Sequence, residues 1–106
     1  MRKKIRSTLV AALAIAATTH LCAASLRVLL VGDTNDRSIG KSVVTDLANF
    51  EKFARDIAQN TGLPIDIRIM KGGDVKSKKI TDAINSLKVA SDDTVIFYYS
   101  GHGFRT

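Results

Sequence analysis

Leu26-Arg27-Val28-Leu29-Leu30-Val31 is the stretch whose reading decides the fold. It is nearly continuously apolar, the pattern of a strand covered on both faces; a strand with one wet face would alternate. Gly32 to Gly40 is polar and rich in turn formers. From Ser42 the period changes: Val43, Leu47, Phe50, Ala54 and Ile57 recur at steps of three and four, one face of a helix. Gly62 closes that helix after Asn60 and Thr61, in the position where a left-handed residue is wanted. Ile65, Ile67 and Ile69 then alternate with Asp66 and Arg68, which marks a strand at an edge, and Pro64 at its start agrees.

Gly72-Gly73-Asp74 reads as a turn, and Ser77 as the N-cap of a second helix with Ile80, Ile84 and Leu87 on one face. Thr94-Val95-Ile96-Phe97-Tyr98-Tyr99-Ser100 is a strong β-former run preceded by Asp92-Asp93 and followed directly by Gly101-His102-Gly103. The order is β-α-β-α-β with short connections, so right-handed crossovers make the strands parallel. The alternating strand belongs at an edge and Leu26–Val31 in the middle, which predicts the spatial order second, first, third. The crevice of such a sheet lies beyond the carboxyl ends of the first and third strands. Both the Gly32–Gly40 loop and Gly101–Gly103 open onto it.

Upstream of the first strand, Arg2, Lys3, Lys4 and Arg6 precede an uncharged run from Leu9 to Ala17 and the small residues up to Ser25. A basic start, a short apolar core and a small-residue site are the parts of a secretory signal, assigned to residues 1–24, with residues 25–106 as the exported, periplasmic or secreted domain. An uncleaved amphipathic anchor and a lipoprotein signal at Cys22 are the alternatives, though Leu21 fits the latter poorly. The apolar run is shorter than the ~20 residues needed to span a bilayer, so no stable span is expected after cleavage.

Cleavage also changes the electrostatics. Losing those four positive charges takes the formal charge from +6 to +2. That removes the case for nucleic acid as a partner, which needs a concentrated basic face. It removes Cys22, the only cysteine, and His20 as well, leaving His102 as the one histidine. No multi-ligand Cys/His metal site is expected from that set, and no cofactor.

Phe97-Tyr98-Tyr99-Ser100-Gly101-His102-Gly103 carries the chemistry. A histidine at the end of a buried strand is held rigidly in the crevice, its flanking glycines allow close backbone approach, and imidazole moves protons near neutral pH. Tyr-Tyr-Ser-Gly-His-Gly resembles the histidine motif of caspase-like cysteine peptidases, metacaspases and paracaspases especially. The likeness runs on through Leu29-Leu30-Val31-Gly32, Asp46, the helix from Ile80 and Asp93. The resemblance implies a three-layer α/β/α, caspase-like (flavodoxin-like) parallel sheet and a cysteine-type endopeptidase acting on peptide or protein substrates. On that likeness His102 matches the dyad histidine and Gly103 the oxyanion donor, while Asp33 or Asp36 adds acidity to a pocket for a basic P1 side chain. Asp residues in such loops are also ordinary turn formers.

The family's nucleophilic cysteine follows a later strand, whereas this sequence stops three residues after Gly103. The expectation is therefore an incomplete domain, inactive alone, with a protein partner or a second copy covering the third strand. The alternatives are a non-catalytic binding or regulatory module of the same fold and a small nucleotide-binding protein using Gly40-Lys41-Ser42. The last lacks the glycine four residues earlier, a position held by Asn35. Asp92 and Asp93, adjacent on one chain, point apart and read as turn chemistry.

Overall fold

The computed structural model describes residues 24–103, and strand β1 (Leu26–Gly32) runs through its centre. Helix α1 (Gly40–Thr61) follows, then β2 (Ile65–Lys71), a 3-10 turn at Gly72–Asp74, helix α2 (Ser77–Asn85) and β3 (Thr94–Ser100). The three strands form one parallel α/β sheet in the order β2-β1-β3, as the pattern of apolar residues predicts.

Strand β1 is central because its apolar residues point both ways. Leu26, Val28 and Leu30 pack with Val43, Leu47, Ala54 and Ala58 of α1. Leu29 and Val31 point the opposite way and pack with Met70 of β2 and Ala83 of α2. Every residue of β1 except Arg27 is buried, and each fully buried Val or Leu side chain contributes roughly 1.5–3 kcal/mol. Arg27 escapes by pairing with carboxylates on both sides: Asp66 of β2 at 3.0 Å and Asp93, just before β3, at 3.4 Å.

Helix α1 presents the face read from its periodicity, with Phe50 and Ile57 half-buried beside the core residues. It begins two residues earlier than Ser42, at Gly40, and ends as expected on Gly62, whose φ of 73° lies in the left-handed region. Gly32 has no room for a side chain: a Cβ there would lie 2.5 Å from Leu47 Cδ1 and 2.8 Å from Val43 Cγ1. The absence of that one atom sets how closely α1 crosses the end of β1.

Helix α2 departs from its expected pattern. Lys76 is the N-cap residue, Ser77 is the first helical residue, and no side chain caps the helix. The buried stripe is Ile80 and Ala83, not Ile80, Ile84 and Leu87. The helix ends at Asn85, so Leu87 lies in the following turn, its amide on the Ile84 carbonyl at 3.2 Å. A nine-residue helix has room for only one inward row, and the small Ala83 takes it by letting the helix approach the sheet.

Asp92 and Asp93 do not converge. The Asp93 carboxylate accepts from the amides of Ser25 and Ala90, each at 2.8 Å, while Asp92 is exposed. The 1–24 signal assignment lies almost wholly outside the described residues. Among those described, no helix is long and apolar enough to cross a membrane.

Candidate functional site

Strands β1 and β3 are adjacent, so the loops that leave their carboxyl ends meet. The Asp33 amide donates to the Ser100 carbonyl at 3.0 Å and keeps the two chain exits together. Ser100, buried, donates its hydroxyl to Asp46 Oδ2 on α1 at 2.7 Å, which pins the end of β3 to the helix across the sheet. Asp46, singled out in the sequence as an acidic position on the first helix, therefore has a defined structural task.

Gly101 follows in a place where a Cβ would lie 2.5 Å from Tyr99 Oη and 3.3 Å from Asp33 Cβ. Glycine there allows the chain to turn tightly past Tyr99, whose hydroxyl donates to the His102 carbonyl at 3.0 Å. The main chain of His102 is thus tied back to the strand it leaves.

The side chain of His102 reaches across to the first loop. Its Nε2 lies 3.2 Å from Asp36 Oδ2 and 3.1 Å from Ser38 Oγ. Asp36 itself is held by its own loop: Oδ1 accepts from the Ser38 amide at 2.8 Å, the Ser38 hydroxyl at 2.8 Å and the Ile39 amide at 3.0 Å. The main-chain carbonyl of Asp36 accepts from the Gly40 amide at 3.0 Å, so this residue organises the turn that starts α1. The Ile39 and Ser38 donors, with His102 adding a smaller share, lower the Asp36 carboxyl to a pKa of about 2. Its side chain is 19% exposed against 55% for His102, so a fixed anion lies under an accessible imidazole.

Ser38, His102 and Asp36 invite comparison with a serine hydrolase triad, and the geometry opposes it. A triad puts serine and carboxylate on opposite ring nitrogens, so that the carboxylate holds one proton while the other nitrogen takes the serine's. Here both groups lie on Nε2. The Ser38 hydroxyl proton points to Asp36, and the nearby amides of Ser38 and Ile39, the donors an oxyanion hole would need, are spent on the same carboxylate.

The same contacts bear on Lys41 and Ser42. A phosphate cradle needs amides that face an open space, whereas those of Ser38 and Ile39 face Asp36. A Cβ on Gly40 would lie 2.5 Å from the Thr34 carbonyl, so that glycine serves loop packing. Among the described residues no group of three His, Cys, Asp or Glu is placed to hold a metal ion. A separate groove of about 190 Å3, lined by Thr34, Val44, Leu47, Ala48, Glu51, Ile69 and Lys71, includes none of the expected site residues.

Of the four site residues expected from sequence, His102 and Asp36 are brought into contact. Gly103 follows His102 at the same end of the sheet, and Asp33 lies at the start of the first loop. Ser38 and Tyr99 were not among them. Ser38 had a signal, since Asp-x-Ser ahead of a helix is the spacing of a carboxylate cap on the amide two residues on. Tyr99 had none, because its hydroxyl bond depends on how the chain turns after Ser100. The chain matches no family model, and no curated protein or solved structure matches it significantly.

Proposed function

We propose that the chain forms the first part of a three-layer, caspase-like α/β/α domain and supplies the histidine of a Cys–His peptidase site. The observation that carries this reading is His102, placed by β3 at the carboxyl edge of the sheet with its ring against the fixed carboxylate of Asp36. The motif Tyr98-Tyr99-Ser100-Gly101-His102-Gly103 supports it, because the resemblance puts the dyad histidine and the oxyanion donor at those two positions. In the completed site His102 takes the thiol proton, and the thiolate attacks the scissile carbonyl of a peptide. The Gly103 N–H steadies the oxyanion, and His102 returns the proton to the leaving amine.

Cys22 is the only thiol in the sequence and precedes β1, outside the described residues. The nucleophile must therefore come from a segment other than residues 25–106. Residues 1–24 act in this proposal as the export signal. Asp33 remains the acid proposed for a basic P1 side chain, while Asp36 is committed to its loop and to His102.

A second reading, a non-catalytic binding module, is favoured by one observation: Val95, Phe97 and Tyr99 stand exposed along β3. The test begins with the transcript beyond codon 106, read in all frames for a strand that ends in cysteine. The protein that includes it is assayed on a fluorogenic peptide with arginine at P1, alongside His102→Ala. The expected result is hydrolysis that falls by roughly 10²–10⁴-fold in the variant and is absent from the 106-residue chain. No such segment, or a variant as active as its parent, excludes the peptidase reading and leaves the binding module.

A further inference from the structure

We infer that Asp36 is a positioning residue that fixes the His102 tautomer, keeping the proton on Nε2 and leaving Nδ1 as the nitrogen that exchanges protons with a reacting group. The inference deepens the histidine reading above and rests on it for the use of the ring. The tautomer itself follows from counting donors and acceptors.

Asp36 Oδ1 takes three donors, the Ser38 amide, the Ser38 hydroxyl and the Ile39 amide, at 2.8, 2.8 and 3.0 Å. A carboxylate so surrounded has only acceptors to offer. The Ser38 hydroxyl has a single proton, and that proton is on Asp36 Oδ1. Toward His102 Nε2, at 3.1 Å, Ser38 Oγ presents a lone pair. The other neighbour of Nε2 is Asp36 Oδ2 at 3.2 Å, also an acceptor. A nitrogen facing two acceptors must be a donor, so Nε2 carries the hydrogen. A neutral imidazole has only one, and Nδ1 is left with its lone pair.

The arrangement also fixes where the ring lies. The His102 carbonyl is held by Tyr99 and its Nε2 by the loop, so the main chain and one ring nitrogen are both tethered. With Nε2 turned into the loop, Nδ1 is the nitrogen left for chemistry in the crevice. The same carboxylate, held in place by its own loop, thus orients the ring.

The test is the nitrogen spectrum of the full chain labelled with 15N-histidine, recorded by long-range proton–nitrogen correlation at a pH where imidazole is neutral. His20→Gln in every sample leaves His102 as the single histidine. The Nε2–H form should exceed the Nδ1–H form by roughly tenfold or more, the scale of a charge-assisted hydrogen bond. Asp36→Asn should cut that ratio several-fold, because an amide can donate to Nε2, whereas Ser38→Ala should leave it in place, because the carboxylate remains. A mainly Nδ1–H ring in the parent overturns the inference, and this spectrum needs no folded variant. So does an unchanged ratio in Asp36→Asn, or a ratio that collapses in Ser38→Ala. No substrate or nucleophile enters the measurement. Loss of the peptidase reading therefore leaves the tautomer standing, and a wrong tautomer leaves the peptidase assay to be judged by itself.

Discussion

Asp36 and Asp93 do similar work at opposite ends of the sheet, each satisfying main-chain amides that no strand or helix partner reaches. Both carboxyls titrate below the ordinary range. Asp36 is lowered to about 2, first by the Ile39 amide, and Asp93 is lowered first by the Ala90 amide and then by that of Ser25. A carboxyl lowered by folding adds stability that is fully present above its unfolded pKa of about 3.9 and is lost as pH falls through the folded value. Stability should therefore hold steady above about pH 5 and decline between about pH 4 and pH 2. Denaturant midpoints measured across that window check this, and Asp36→Asn should make the decline shallower. Asp93 adds a second expectation. In a protein that began at Ser25, the Ser25 amide, 2.8 Å from Asp93 Oδ1, would become an α-ammonium beside a side chain that is 3% exposed. A protein beginning at Ser25 should melt higher with a free amino terminus than with an acetylated one, and the difference should vanish in Asp93→Asn.

Among the elements, β1 has the largest effect because both apolar clusters depend on it. Leu30, fully buried against α1, should cost roughly 2–5 kcal/mol as Leu30→Ala, a large part of what a domain this size has. Gly32→Ala should cost roughly 1–3 kcal/mol by pushing Leu47 and Val43 away from the strand end. Equilibrium unfolding in urea gives both numbers, and a Gly32→Ala protein as stable as its parent would mean that α1 is free to shift. This dependence on β1 is why the sheet was legible in the sequence. A two-sided apolar strand, an alternating one and a strong β-former run admit one comfortable order, and period and composition carry that information directly. The ends of the helices were less legible. Asp36 starts the turn into α1 from four residues upstream, and α2 is placed by the small side chain of Ala83, which a search for large apolar residues passes over. The histidine was legible from its glycines and its strand, but its contact with Asp36 arises from the meeting of two loops whose conformations no periodicity encodes.

Across the whole molecule the two sides of the sheet are unequally covered. Helix α1, 22 residues long, lies over one side, and there Tyr98 stacks on Phe50 with ring centroids 4.0 Å apart. The nine-residue α2 lies on the other and reaches Leu29, Val31 and Met70, and the next row, Val95, Phe97 and Tyr99, is 46%, 50% and 44% exposed. Among the described residues nothing pairs with the outer edge of β3, so an apolar row and a set of unpaired main-chain groups coincide on one strand. That combination favours association over a solvated edge. The expected outcome is a sedimentation coefficient that rises with concentration for the parent chain. Val95→Thr with Phe97→Thr, which keeps β-forming residues while removing apolar surface, should flatten that rise. Residues 1–24 are identical in the two proteins, so any association they cause appears in both and cancels in the comparison. A parent that stays monomeric at every concentration would show that β3 tolerates water as it stands. A rise that persists unchanged in the double variant would place the contact elsewhere, and the apolar groove between α1 and β2 would be the next surface to alter.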